Sequence, residues 1–239
     1  MTEVSPRWEP LGGGAGVYRT PGSAFTTDAL LLAAFSQPGP KEAAADLGTG
    51  SGVIPILWAV RGAGGPLLAV ELDPDLAALA ARAAEESGVS SRLTVRQGDV
   101  RAFREILPHQ AMDRIACNPP YFAPGTGEPG TPARHGETLS LEDLAAAALW
   151  ALKDGGRLDL CLPTPRLGEA LHLFRSRGLE PKRLRLVNAT PAKAPYLFLL
   201  ECRKAGGTGL TVEQNLLLWD ETGAPTPDLL EIYGEYHHD

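Results

Sequence analysis

The 239-residue chain has only three cysteines, two methionines, 6% aromatic residues and no long apolar run, and each scarcity excludes something. Cys117, Cys161 and Cys202 are odd in number, widely spaced and set in apolar, strand-like runs. They read as buried thiols in a reducing compartment, not as a disulfide framework. No Cys/His spacing matches a zinc site, and the five histidines are scattered, with only His237 and His238 adjacent in a polar tail; no metal is expected. No apolar stretch approaches the ~18 residues of a membrane span, and the start "MTEVSPRWEP" lacks a signal-peptide pattern. A cytoplasmic chain without membrane contact is the expectation. Positive charge is short as well: the net charge of −7 argues against a surface coated for nucleic acid. The imbalance is uneven, because residues 157–204 hold ten Lys/Arg against four Asp/Glu, a net of +6 that leaves −13 elsewhere. That segment is either a local basic face or an ordinary solvated surface.

What is abundant is apolar and regularly punctuated. Hydrophobic residues make up 44% of the chain, enough for a sizeable core. After a glycine-rich lead-in (11–23) and a short helix (26–35), strand-like and helix-like runs alternate. Strands are predicted at 42–47, 66–72, 91–99, 112–117 and 156–162, with helices at 53–60, 73–87, 100–107, 141–153 and 165–178. Pro74 and Gly88 suit the ends of one helix, and Ser140 with Asp143 suits the start of another. Residues 123–139 form a long Pro/Gly-rich loop. Strands at 181–188 and 195–204 follow with only a short link, then a strand-like run at 209–219 and a polar tail. The alternation predicts a single α/β domain over 1–239 with a mostly parallel sheet and an antiparallel edge. Residues 1–40 form a lead-in with its helix, 41–204 the core and 205–239 a C-terminal extension.

Four successive strands of this reading end on a polar residue: Asp46, Glu71, Asp99 and Asn118. In an open parallel sheet the C-terminal strand ends line the ligand crevice. One such residue alone is ordinarily a turn or cap; four in succession are hard to assign to turns. Asp46 opens "DLGTGSG" (46–52), a G-x-G-x-G loop between a strand and its helix. A dinucleotide fingerprint needs a third glycine where Val53 stands, which disfavours nicotinamide or flavin. The Asp46 carboxylate can meet a cationic or amino group. Glu71, 19 residues beyond Gly52, can bind the two hydroxyls of a ribose, and Asp99 can accept from an adenine amino group.

The set Asp46-Leu47-Gly48-Thr49-Gly50-Ser51-Gly52, Glu71, Asp99 and Asn118-Pro119-Pro120-Tyr121 resembles the class I S-adenosylmethionine-dependent methyltransferases. The resemblance implies a Rossmann-like fold, with a seven-stranded, mostly parallel sheet, helices on both faces and an antiparallel edge strand. It assigns cofactor contacts to Asp46, Leu47, Gly48, Thr49, Gly50 and Gly52, to Glu71 with Leu72, to Asp99 with Val100, and to Asn118.

The stretch "NPPYF" (118–122) carries the chemistry. An amino nitrogen conjugated to a ring or carbonyl is planar and weakly nucleophilic. Acceptors aimed at its N–H groups favour pyramidal geometry and offset growing positive charge. The Asn118 side-chain oxygen and the Pro119 carbonyl can be those acceptors, and Pro119 and Pro120 stiffen them. Tyr121, with Phe122, can stack on a planar substrate. Enzymes acting on adenine N6, cytosine N4 and glutamine N5 share this motif.

Further stretches are similar to bacterial tRNA (adenine-N6) methyltransferases acting on adenine 37 of a valine tRNA: 26–35, 133–135, 139–144, 152–158, 178–187 and 209–234. The similarity implies tRNA as partner, with Arg134 and His135 near the RNA unless they are simply a solvated loop. Asp28 either covers the cofactor or caps its helix. The chain departs from that pattern at Thr26, at Gly136 and across 188–195. The other readings are a protein glutamine-N5 methyltransferase acting on release factors, which would ordinarily carry a larger N-terminal domain, and a non-catalytic cofactor-binding adaptor. The oligomeric state is not readable.

Overall fold

A sheet buried on both faces requires strands that are apolar along their whole length, and this requirement shapes the centre of the molecule. The computed structural model describes residues 5–20, 25–119 and 139–234. Most of the expected loop at 123–139 and the His237–His238 pair lie outside them.

The elements run β1 (Arg7–Gly12), β2 (Ala15–Arg19), α1 (Thr27–Phe35), β3 (Ala44–Leu47), α2 (Val53–Val60), β4 (Leu67–Glu71), α3 (Pro74–Glu86), β5 (Leu93–Gln97), α4 (Phe103–Ile106) and β6 (Met112–Cys117). They continue with α5 (Leu141–Ala151), β7 (Leu152–Pro163), α6 (Leu167–Ser176), β8 (Leu179–Asn188), β9 (Leu197–Lys204), β10 (Thr211–Val212), β11 (Leu216–Leu217) and α7 (Pro227–Tyr233). The large sheet has the order β10-β8-β9-β7-β6-β3-β4-β5, with β11 also on β8. β9 alone runs antiparallel to its neighbours, β7 and β8. The seven expected strands are β3 to β9; β10 and β11 lengthen one edge by two residues each.

Helices cover both faces. α1, α2, α7 and the C-terminal half of α3 pack on one, where Leu30, Leu31, Ile56 and Trp58 are fully enclosed. α5 and α6 pack on the other around Leu144, Ala148 and Phe174. α3 begins on the Asp73 side chain, which accepts from the Asp75 and Leu76 amides, and α5 begins on Ser140, which accepts from the Asp143 amide at 3.0 Å. No helix among the described residues is long and apolar enough to cross a membrane.

Three stretches differ from the expectation. The glycine-rich lead-in is half of a hairpin, β1–β2, because Gly13 and Gly14 take the positive φ its turn needs. Trp8 lies edge-on to Tyr18 across the hairpin, and the Tyr18 hydroxyl donates to Glu86 of α3 at 2.6 Å. The run 209–219 forms two short strands instead of one long one. The tail beyond it holds α7, capped by Thr226 with Pro227 in its first turn.

Several cations of the basic segment 157–204 form ion pairs within the molecule. On the α1/α2 face a ladder of ion pairs crosses the sheet: Arg114 meets Glu42 (3.6 Å), Asp159 (2.6 Å) and Glu201 (3.6 Å). Arg183 then meets Glu201 (3.5 Å) and Glu213 (3.6 Å). Arg157 pairs with Glu42, Arg166 with Glu169, Arg175 with Glu180 and Arg185 with Asp228.

Replacing the α5 cap, Ser140→Ala, is expected to lower stability by about 1 kcal/mol, read as a shift in the urea midpoint with an unchanged slope.

Candidate active site

Strand register places the polar strand ends in one row. Asp46 of β3 lies opposite Ala69 of β4 and Ala116 of β6. Glu71 and Asn118 stand two residues beyond those partners. Since side chains alternate across a sheet, all three fall on the face covered by α1 and α2, with Glu71 and Asn118 one pleat further out on either side. The chain passes from β3 to β4 and β5 on one side, then returns as β6 on the other side of β3. A crevice opens where the strand order reverses in this way.

The loop after β3 is built to admit a ligand against its backbone. Gly48, Gly50 and Gly52 all have positive φ, between 57° and 88°. A Cβ added at Gly48 or Gly50 would meet no heavy atom within 4 Å, whereas one at Gly52 would press on Ala80 and Ile56. The first two glycines therefore face open space, and the third packs the loop against α3. The loop hangs from the end of β4: the amides of Gly48 and Thr49 donate to the Val70 carbonyl (2.9 and 3.0 Å), and that of Gly50 to Glu71 Oε2 (2.7 Å).

Asp46 is fully buried, and among the described residues neither of its carboxylate oxygens has a full hydrogen bond. Burial pushes its pKa up to about 7; the Thr49 hydroxyl offsets part of the rise and the Glu71 charge adds to it. An under-satisfied buried carboxylate beside an open glycine backbone fits a ligand that brings a cationic amino group.

The other expected residues occupy distinct settings. Glu71 Oε1 takes the Asp73 amide at 3.0 Å, so the same carboxylate that holds the glycine loop also holds the start of α3. Leu72 is 42% exposed beside it, Val100 is buried after β5, and Leu47 is buried on the opposite face of β3. Asp99 is gripped by Arg101 through its amide (2.9 Å) and through two guanidinium contacts at 3.0 and 2.7 Å. The Arg101 hydrogen bonds hold the Asp99 carboxyl below the usual range. Asn118 Oδ1 accepts from the Cys161 thiol at 3.1 Å, and Pro119 behind it is buried. Pro120, Tyr121, Phe122, Arg134 and His135 lie outside the described residues. Asp28 is buried at the start of α1, and the Tyr196 hydroxyl donates to it at 3.5 Å.

Sequence reasoning missed the contacts that cross strands. Cys161 reads as a core thiol, and only the β6–β7 register brings it to Asn118. Arg101 carries a local signal, two residues from Asp99, that went unused. Among the described residues no group of three or more His, Cys, Asp or Glu side chains could hold a metal ion.

Comparison with known proteins follows the same outline. The model of the family described as "Methyltransferase small domain" matches residues 15–165. The chain is 34% identical over 188 residues to the tRNA1(Val) (adenine(37)-N6)-methyltransferase of Porphyromonas gingivalis, covering 75% of this chain and 74% of that protein. It is 30% identical over 213 residues to the protein of the same name from Shewanella loihica, covering 85% and 87%. Among solved structures it is similar to a crystal structure titled as a predicted O-methyltransferase from Agrobacterium tumefaciens, with TM-score 0.71 and 25% identity over 86% of this chain and 95% of that one.

A carboxyl with a raised folded-state pKa keeps a proton that the unfolded chain releases, so Asp46 costs stability progressively between pH 4 and 7. Asp46→Asn is expected to match the ligand-free wild type near pH 4 and to exceed it by about 2–4 kcal/mol at pH 8. Urea unfolding across that range measures it; a difference that does not grow with pH would contradict the burial argument.

Proposed function

The chain belongs to the methyltransferase small domain family, and from that premise we propose that it methylates the exocyclic N6 of an adenine in tRNA, adenine 37 beside the anticodon of a valine tRNA. It is an S-adenosylmethionine-dependent methyltransferase. The observation that carries the amino-group chemistry is Asn118–Pro119 closing β6 one pleat beyond the buried Asp46. The RNA and the position follow the names of relatives that match up to 85% of the chain. A tRNA substrate sets the reaction in the cytoplasm.

When bound, S-adenosylmethionine supplies an electrophilic methyl group on a sulfonium centre. Asp46 takes the amino group of its methionine moiety, and the open backbone at Gly48 and Gly50 receives that end. Glu71 retains lone pairs beyond its two amide bonds, and these accept the ribose hydroxyls. Leu72 and Val100 flank the adenine, with Asp99 accepting from its amino group while Arg101 fixes the carboxylate plane.

On the substrate side the Asn118 oxygen and the Pro119 carbonyl accept the two N–H groups of the target amine, drawing its lone pair out of conjugation. Pro119 and Pro120 hold both acceptors still, so little reorganisation is needed as charge develops. Tyr121 and Phe122 stack on the base, an interaction worth ~1–3 kcal/mol, and Arg134 and His135 meet the backbone phosphates. An anticodon-loop adenine is already unpaired, which keeps the cost of extruding it low. No side-chain nucleophile takes part, and the Cys117 thiol, pushed well above its usual pKa by burial, is unsuited to be one. A proton on a methylated, ring-conjugated nitrogen is acidic, so the two carbonyl acceptors need only hold it until water removes it.

Incubation with labelled S-adenosylmethionine and tRNA lacking this modification, followed by nucleoside mass spectrometry, is expected to give N6-methyladenosine at position 37. Label confined to a release-factor glutamine would overturn the substrate. Asn118→Ala is expected to slow methyl transfer about 100- to 1000-fold while cofactor affinity by calorimetry stays within about threefold; undiminished turnover would refute the role given to Asn118.

A further inference from the structure

We propose that Tyr196 and Trp219, on either side of the end of β8, form a stacking platform for the unpaired nucleotides next to the target adenine. The inference rests on the reading of the substrate as tRNA.

Strand order decides where such a substrate can lie. Asn118 follows β6, and the cofactor residues stand at the ends of β3, β4 and β5 to one side of it. The side left for the rest of the RNA is that of β7, β9 and β8. β7 runs parallel to β6, and β7 and β8 both run antiparallel to β9. β8 therefore ends at the same edge of the sheet as β6. Tyr196 and Trp219 flank that end: the Tyr196 amide donates to the Val187 carbonyl from the β9 side, and the Trp219 amide to the Ala189 carbonyl from the β11 side, each at 3.0 Å. With strands ~4.8 Å apart, β9 lies about 10 Å from β6 and β8 about 14 Å, within reach of nucleotides that neighbour the target.

Both rings present surface there. Among the described residues three Phe, Trp or Tyr side chains are exposed, Trp8, Tyr196 and Trp219, and two of them share this edge at 39% exposure each. Scattered single apolar residues on a surface are ordinary; these two bracket one pinned turn. Asn188 Nδ2 donates to the Lys193 carbonyl at 2.7 Å, and Asn215 Nδ2 to Asn188 Oδ1 at 3.0 Å. Tyr196 is held at both ends, its carbonyl by the Thr164 amide (3.1 Å) and its hydroxyl by Asp28 (3.5 Å). A ring fixed in this way loses little freedom when a base settles on it. Charge is sparse. Lys193, exposed, is the one charged residue between Asn188 and Tyr196. Asp220 and Glu221 follow Trp219, and the Asp220 carboxylate is taken up by the Thr222 and Ala224 amides of its own turn. Stacking, more than phosphate pairing, is what this edge supplies, and it tolerates any sequence because every base has a π-face.

The test is the affinity of the full chain, with S-adenosylhomocysteine bound, for a synthetic anticodon stem-loop of the valine tRNA carrying the unmodified adenine, read by fluorescence anisotropy. Tyr196→Leu and Trp219→Leu stay apolar but lose the ring; each is expected to raise Kd about five- to 150-fold. Tyr196→Phe and Trp219→Phe keep a ring and are expected within about threefold of wild type. A Tyr196 that served only to hold α1 through Asp28 would make the Phe variant, which lacks the hydroxyl, as weak as Leu. Either Leu variant at wild-type affinity, or either Phe variant as weak as its Leu counterpart, would overturn the proposal. A second measurement needs no variant. Stem-loops with 5-iodouridine beside the adenine are cross-linked to the wild-type protein by ultraviolet light and the peptides mapped by mass spectrometry. Adducts on Tyr196 or Trp219 are expected; adducts that spare both would overturn the proposal even if the Leu variants fail to fold. A wild type that neither binds nor methylates the stem-loop ends this inference together with the tRNA reading beneath it. A wild type that does both, beside Leu variants of equal affinity, ends this inference alone.

Discussion

A carboxylate buried without a full hydrogen bond in the central strand of a parallel sheet is the constraint on which the rest of the structure turns. Asp46 has no exposed surface and, among the described residues, no full hydrogen bond on either oxygen, with the Thr49 hydroxyl offsetting the burial only in part; its raised pKa records the cost of that position. The two glycines that follow leave open space in front of their backbone, and the amides of the loop are turned towards β4 and not towards Asp46. The Glu71 carboxylate then ties together the glycine loop, the end of β4 and the start of α3. A single side chain thus couples the shape of the loop to the side of the crevice where a ribose would lie. The energetic cost of the buried Asp46 carboxyl is offset by the large apolar core on both faces of the sheet.

The same face of the sheet carries two very different polar regions. Arg114, Asp159, Glu201, Arg183, Glu42 and Glu213 form a ladder of ion pairs, and Asp159, Glu201 and Arg183 lie in the same cross-strand row as Asp46. In it two arginines lie among four carboxylates. Glu71 and Asn118 stand one pleat further along, on either side of the buried Asp46. Glu42, Glu213 and Asp228 come from elsewhere in the chain to pair with Arg157, Arg183 and Arg185 of the basic segment.

Much of this was legible in the sequence because its signals are local. The strand ends at Asp46, Glu71 and Asn118 stood out as polar residues closing apolar runs, and Ser140 with Asp143 announced a helix start that the structure shows. The features that escaped depend on partners far along the chain. Gly12–Gly14 reads as loop material, and only packing of Tyr18 on Glu86 and of Gly16 on Ser87 reveals a hairpin. Thr226 and Pro227 are adequate helix-start signals, but a seven-residue helix in a polar tail gives too short an apolar pattern to read. Basicity at 157–204 was visible as composition; its ion pairing depends on tertiary contacts. The pairing of Asn118 with Cys161 requires the parallel register of β6 and β7, which no spacing within either strand encodes.

The central claim is that these strand ends form one ligand crevice. Hydrogen exchange with and without saturating S-adenosylhomocysteine tests it most directly, since exchange reports local opening segment by segment. Peptides covering 46–53, 69–75, 97–101 and 114–119 are expected to slow together on ligand addition, while β1–β2 and β10 stay unchanged. Protection confined to one of those four segments, or absent from all of them with ligand demonstrably bound, would contradict it.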